Sequence, residues 1–196
     1  MTDRQTIDVY NQRADEYDQL DMSDTPSDAL AGFIAKLPAA AHVLDLGCGP
    51  GTSSRHMARA GLRVDAMDAS PEMVALASRI DGVSARVGSF DDLDAQGVYD
   101  GIWANFSLLH ASKSDMPRHL AAVHTALTPK GVFHVAVKEG TGDARDRLGR
   151  YYAYYTVSEM TDLLNQQGFR VGDLRQGTDR GLDGSMAAWF SVLAYA

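Results

Sequence analysis

The sequence predicts an α/β fold with a doubly wound, mostly parallel sheet, and three observations predict it. Short apolar runs alternate with helix-like stripes along most of the 196 residues, the pattern of parallel strands joined by crossover helices. The first run, Val43-Leu44-Asp45-Leu46, feeds a turn with Gly47, Gly49 and Gly51 at alternate positions and then a helix-like segment. The second run, Arg63 to Met67, ends in Asp68 about 20 residues beyond the first glycines, where an acid at a strand's carboxyl end can accept the hydroxyls of a ribose.

Composition narrows the function classes. The formal charge of −8 argues against nucleic acid and anionic membranes, both of which select clustered positive charge. No apolar run approaches about 18 residues, so no membrane span is expected. Residues 1–6 lack the apolar stretch of a signal peptide, and Cys48 is the only cysteine, so a cytoplasmic protein without an internal disulfide is expected. The six histidines show no H-E-x-x-H spacing, and neither a G-x-S-x-G elbow nor a P-loop is present. Metal, hydrolase and NTPase readings therefore have no support. The length fits one domain (39–196) carrying an N-terminal helical arm (1–38), and the sequence assigns no oligomeric state.

The elements follow in order. Residues 3 to 20 are helix-compatible, with Ile7, Tyr10, Ala14 and Tyr17 near a 3.6 spacing. After a polar break at Asp21 to Thr25, Leu30, Phe33, Ile34 and Leu37 mark one face of a helix from Pro26 to Leu37. Thr52 to Ala60 is the first crossover helix, with Met57 and Ala58 toward the sheet. Ser70 caps the next helix and Pro71 takes its first position, followed by the stripe Met73, Leu76, Ala77, Ile80. Ser84 to Val87 is the third strand, ending in Gly88-Ser89-Phe90-Asp91-Asp92-Leu93. Tyr99 to Ala104 is the fourth and runs into Asn105-Phe106-Ser107-Leu108-Leu109-His110.

Ser114 is expected to cap a helix whose stripe is Met116, Leu120, Val123 and Leu127. The turn Leu127 to Gly131 leads to the fifth strand, Val132 to Val137, continuously apolar as a strand covered on both faces should be. Lys138 to Tyr155 leaves that strand's carboxyl end as a loop on the substrate side, carrying Lys138, Arg145, Arg147, Arg150 and four tyrosines. Thr156 and Glu159 form a capping box for the last helix, which buries Met160, Leu163 and Leu164 and stops at Gly168. Phe169 to Leu174 and Ala187 to Ala194 are the final strands.

The glycine turn discriminates between ligands. A nicotinamide fingerprint needs G-x-G-x-x-G and open amides for a pyrophosphate, but here the third glycine comes one residue early and Pro50 has no N–H. Asp45 repels phosphate and suits an ammonium or sulfonium. Adenosine with a cationic amino-acid tail fits Asp45 and Asp68 together.

The run Val43 to Gly51, with Asp68, resembles the first motif, (D/E)-x-G-x-G-x-G, of the class I S-adenosylmethionine (SAM)-dependent methyltransferases. That resemblance implies a Rossmann-like, seven-stranded sheet with a reversed C-terminal hairpin strand. It also implies SAM as cofactor and S-adenosylhomocysteine as product. Gly47, Gly49 and Gly51 would pass under the methionine tail beside Asp45, while Asp68, with Ala69 after it, would hold the ribose. Tyr10 and Tyr17 match a Y-x-x-x-A-x-x-Y-like arm that covers the cofactor, and Asn105 stands near the methyl group. Met73 would lie against the adenine or serve the core. The family's G-D-A-x-x-L reads Gly88-Ser89-Phe90 here, leaving Ser89, the Phe90 backbone or Asp91 for the adenine amino group. No N-P-P-Y or D-P-P-Y is present, which counts against base or glutamine substrates.

The expected reaction is in-line methyl transfer to a small-molecule acceptor. His110, at the fourth-strand exit, is the expected general base if the acceptor is protonated. Lys138, Arg147 and Tyr151 are the expected substrate contacts, for an anionic acceptor such as a carboxylate. A catalytically silent SAM-binding module and a nicotinamide oxidoreductase are the competing readings.

Overall fold

The structure, a computed structural model, describes residues 3–14, 16, 23–181 and 184–196. Five strands come first in the chain: β1 (His42–Leu46), β2 (Arg63–Asp68), β3 (Val83–Val87), β4 (Tyr99–Asn105) and β5 (Leu127–Lys138). A short ribbon, β6 (Asp143–Arg145) with β7 (Tyr151–Ala153), precedes β8 (Arg170–Arg180) and β9 (Met186–Tyr195). The described helices are α1 (Arg4–Gln12), α2 (Asp28–Ile34), α3 (Thr52–Arg59), α4 (Pro71–Ala77), α5 (Met116–Ala126) and α6 (Val157–Gln166).

Seven strands make one sheet in the order β3-β2-β1-β4-β5-β9-β8. The first five run parallel, and β9 inserts antiparallel between β5 and β8. This is the expected Rossmann-like methyltransferase sheet with a reversed C-terminal strand. The order reverses between β1 and β4, which opens a crevice at the carboxyl ends of those strands.

Alternation along the strands divides the core. Val43, Val64, Trp103 and Val132 point to one face, under Leu30 and Phe33 of α2 and Met57 of α3. Leu44, Leu46, Ile102, Phe133 and Val135 point to the other, under Leu120 and Val123 of α5 and Leu164 of α6. Burial on both faces is why these runs read as continuously apolar. Helix starts follow their caps: Ser70 Oγ accepts from the Met73 N–H at 3.2 Å, and Thr156 Oγ1 accepts from the Glu159 N–H at 3.2 Å.

Several boundaries differ from expectation. The helix expected from Pro26 begins at Asp28, because Ser27 supplies the cap. Ser114 is not the cap of α5; Asp115 is, inside a turn tied by Ser112, while Ser114 Oγ pairs with Ser112 Oγ. Leu127 leaves the helical stripe and starts β5 opposite Tyr99, with a register shift before Gly101 and Lys130 at φ 69°. The expected loop after Lys138 contains the β6–β7 ribbon. β8 extends to Arg180 rather than Leu174, on an exposed outer strand too polar to show a period. No described helix is long and apolar enough to cross a membrane, and no described cluster of His, Cys, Asp and Glu could hold a metal ion.

Candidate functional site

A cavity of about 830 Å³ opens at the carboxyl ends of the parallel strands, within the size range of small-molecule sites. Its floor is the glycine turn. Gly47, Gly49 and Gly51 have φ of 76°, 54° and 90°, a region that side chains resist. The Gly47 and Cys48 N–H groups donate to the Met67 carbonyl at 2.7 and 3.1 Å, and the Gly51 N–H donates to the Cys48 carbonyl at 3.1 Å. The Gly49 N–H donates to Asp68 Oδ2 at 2.9 Å, and Pro50 has none to give. Every amide from Gly47 to Gly51 is thus engaged inside the protein, and a pyrophosphate would find no donor there. A Cβ on Gly49 would meet nothing within 4 Å, so this backbone presents a bare cradle to the cavity.

A buried carboxylate, Asp45, and a half-buried one, Asp68, stand beside the cradle. Asp45, 2 % exposed, accepts from Ser54 Oγ at 2.6 Å and from the Ser54 N–H. Burial, with the Asp68 charge adding to it, pushes its pKa up to about 7. Asp68 accepts from the Gly49 N–H and, through Oδ1, from the Ser70 N–H at 2.8 Å, and burial raises its pKa too. The Ala69 N–H donates to Asp68 as well, and the carboxylate keeps acceptor capacity for a ligand hydroxyl. Acids that resist ionisation suit a cationic ligand, which would offset the cost of charging them. The donor set therefore fits an adenosyl group with a positively charged tail.

The Asp45 proton has a measurable consequence. The folded chain keeps it to about pH 7, whereas the unfolded chain releases it near 3.8, where a free aspartate titrates. Between those values the folded state binds more protons, so this group lowers the ligand-free protein's stability as pH rises. Asp45→Asn removes that contribution. Urea unfolding at pH 5 and pH 8 should show the stability difference moving in the variant's favour at the higher pH.

Ala69, Met73, Ser89 and Phe90 all line the cavity beyond Asp68. Met73 serves the core as well, packing with Ala14 and Leu76 against Tyr10. Asp91 does not line the cavity; its carboxylate is held by Arg118 at 2.6 Å. Asp92 fixes Ser89 by accepting from both its N–H and its Oγ at 2.8 Å.

The N-terminal arm closes one side. Asp3 caps α1 and pairs with Arg145 at 2.7 Å, and Thr6 Oγ1 accepts from the Tyr151 N–H at 2.9 Å. Asn11 Oδ1 accepts from Ser70 Oγ at 2.6 Å, and the Tyr10 hydroxyl lies 2.7 Å from His110 Nε2. Tyr17, expected to complete this cover, lies outside the described residues.

His110, the expected base, is held at both ring nitrogens. Its Nδ1 is 2.6 Å from the Tyr151 carbonyl, so that nitrogen carries the hydrogen and Nε2 accepts from the Tyr10 hydroxyl. Burial foremost, with Arg150 and Lys138 nearby, pushes its pKa down to about 4. The neutral ring accepts the Tyr10 hydrogen and so anchors the arm. Asn105 lines the cavity at the end of β4, 3.4 Å from Nε2 of His134, which stacks on Trp103 at 3.7 Å.

Of the expected substrate contacts, Lys138 lines the cavity, its Nζ 3.8 Å above the Tyr152 ring. Arg147 is exposed and lies outside the lining. Tyr151 is outside it as well, its hydroxyl bonded to Asp143, because neighbours on β7 point to opposite sides and Tyr152 takes the inner one. Arg150, buried in an ion pair with Asp146 at 2.6 Å, also faces the cavity. Trp189 was not legible as a site residue: it is the fourth residue of β9, and antiparallel pairing puts it opposite Lys138.

Residues 43–131 match the family model described as a methyltransferase domain. The ubiquinone biosynthesis O-methyltransferase of Xanthomonas axonopodis pv. citri is 40% identical over 101 residues, 48% of this chain and 41% of that protein. The trans-aconitate 2-methyltransferase of Mycobacterium tuberculosis is 40% identical over 74 residues, 37% of this chain and 28% of that one. The chain thus spans less than half the length of these curated relatives. Among solved structures, a Burkholderia thailandensis 1,6-didemethyltoxoflavin-N1-methyltransferase holding 1,6-didemethyltoxoflavin and S-adenosylhomocysteine superposes with a TM-score of 0.76. It is 25% identical, over 97% of this chain and 87% of that one. A SAM-dependent methyltransferase from Methanosarcina mazei superposes with a TM-score of 0.73 at 19% identity, over 82% and 94% of the two chains, a likeness of fold.

Proposed function

We propose that this chain, whose residues 43–131 match a methyltransferase-domain model, is a class I SAM-dependent methyltransferase, an enzyme that transfers the methyl group of SAM by in-line displacement to a small-molecule acceptor. One observation carries the reading. The glycine turn offers no free amide to a phosphate, while two carboxylates, Asp45 and Asp68, flank an open backbone cradle.

Bound SAM would supply a methyl group already activated by the positive charge on its sulfur. The chain then has to provide geometry and exclude water. Asp68 holds the ribose hydroxyls with the lone pairs its backbone bonds leave over, and Asp45 faces the charged tail. Met73 and Phe90, with Ser89, wall the adenine, and Asn105 stands at the reacting end. His110 holds the Tyr10 hydrogen, which pins the arm over the cavity. Residues 1–38 act as that arm and 39–196 as the binding domain.

A small acceptor is favoured by the cavity's size and by relatives named for ubiquinone biosynthesis and trans-aconitate. The acidic net charge disfavours nucleic acid as partner. The cytoplasm, where the buried thiol of Cys48 stays reduced, is the proposed location.

Thermal unfolding tests the cofactor. S-adenosylhomocysteine at about a hundred times its Kd should raise Tm by roughly 5–10 °C, and NADH should leave it unchanged. Stabilisation by NADH alone would favour the oxidoreductase. Stabilisation by S-adenosylhomocysteine without labelled product from methyl-labelled SAM and a metabolite extract would leave a binding module.

A further inference from the structure

Building on the methyltransferase reading, we propose that the acceptor is a small carboxylic acid, methylated on its carboxylate oxygen and received by Lys138 and Arg150. The cavity carries both signs of charge. Asp45 and Asp68 lie at the glycine turn, whereas Lys138, at the end of β5, and Arg150, beside the ribbon and paired with Asp146, bring cations to the same cavity. Two ligands of opposite charge, meeting there, satisfy both.

The cations are held in place for such a role. The Lys138 ammonium rides on the Tyr152 ring at 3.8 Å, and the Arg150 guanidinium lies 5.7 Å from the Tyr10 ring and 5.3 Å from that of Tyr152. Asp146 fixes Arg150 through Nε at 2.9 Å and Nη2 at 2.6 Å. The other Asp146 oxygen accepts the Leu148 and Arg150 N–H groups at 3.0 Å. A fixed, aromatic-walled pair of cations recognises a planar anion at small cost in ordering.

Among the described residues, the groups at the cavity that could take a proton from an acceptor are engaged elsewhere. His110 Nε2 is engaged by Tyr10. Asp179, at the rim, accepts the Trp189 indole N–H at 2.7 Å, and Asp3 is tied to Arg145. Asp45 and Asp68 face the cofactor end. A carboxylate arrives as its own nucleophile. Its oxygen forms the bond to the methyl carbon as the carbon–sulfur bond breaks, the electron pair stays on sulfur, and no proton moves. Negative oxygen and positive sulfur neutralise each other, a change that a dry cavity favours. The neutral ester then loses its hold on the two cations and can leave.

Calorimetry on protein loaded with S-adenosylhomocysteine tests this, with benzoate, cinnamate and fumarate against their amides as probes. The acids should bind at least about ten-fold more tightly than the amides. Lys138→Met should lose that margin, Lys138→Arg should recover most of it, and both variants should bind S-adenosylhomocysteine as the parent does. In parallel, label from methyl-labelled SAM, transferred to a metabolite extract, should return as volatile methanol under mild alkali. Equal binding of acids and amides, no acid binding, or alkali-stable label overturns the proposal. Weaker S-adenosylhomocysteine binding in Lys138→Met also overturns it, by assigning that cation to the cofactor. If the parent protein fails to bind S-adenosylhomocysteine at all, the methyltransferase reading itself falls.

Discussion

Replacing Asp68 with alanine is expected to weaken S-adenosylhomocysteine binding by about two orders of magnitude while leaving the chain folded. Two losses combine. The Gly49 and Ser70 N–H groups lose their acceptor, so the cradle and the start of α4 loosen together. The ribose loses its hydroxyl partner, and hydrogen bonds to charged groups are each worth roughly 1.5–3 kcal/mol. The fold survives because removing an acid whose pKa is raised by desolvation also removes the cost of charging it. Asp68→Asn keeps one acceptor and should fall between. Calorimetric titration of both variants decides the matter, and an unchanged Kd in Asp68→Ala would take this residue out of the cofactor site.

Gly47→Ala should act on the fold itself. The added Cβ would stand 2.3 Å from Ser107 Cβ, inside any real contact, on a backbone at φ 76°. Ser107 has no room to retreat, since it is buried and its Oγ donates to the Leu46 carbonyl at 2.6 Å. Overpacking with left-handed strain should cost roughly 2–4 kcal/mol in urea unfolding. Adding Ser107→Gly removes the steric part and leaves the backbone part, so the double variant should recover about half of the loss. A Gly47→Ala protein as stable as the parent would mean that the two segments do not meet this closely.

What could be read from the sequence was whatever the local backbone demands. The three glycines, Asp45, Asp68, the Ser70-Pro71 helix start and the apolar runs each state a requirement within a few residues. Contacts between distant parts of the chain leave no such trace. That both ring nitrogens of His110 are engaged depends on a carbonyl 41 residues away and a phenol 100 residues away. That Tyr152 rather than Tyr151 faces inward depends on how the ribbon lies, because a strand sends neighbours to opposite sides without saying which. β8 stayed half hidden because an exposed outer strand needs no apolar alternation, and its polar residues read as loop.

The tryptophans lead to one practical consequence. The chain has two, Trp103 stacked on His134 and Trp189 tied to Asp179, and both line the cavity. Indole emission from this protein carries no background from elsewhere in the fold. The unlabelled molecule is its own optical sensor, and ligand entry can be timed in a stopped-flow instrument without a dye.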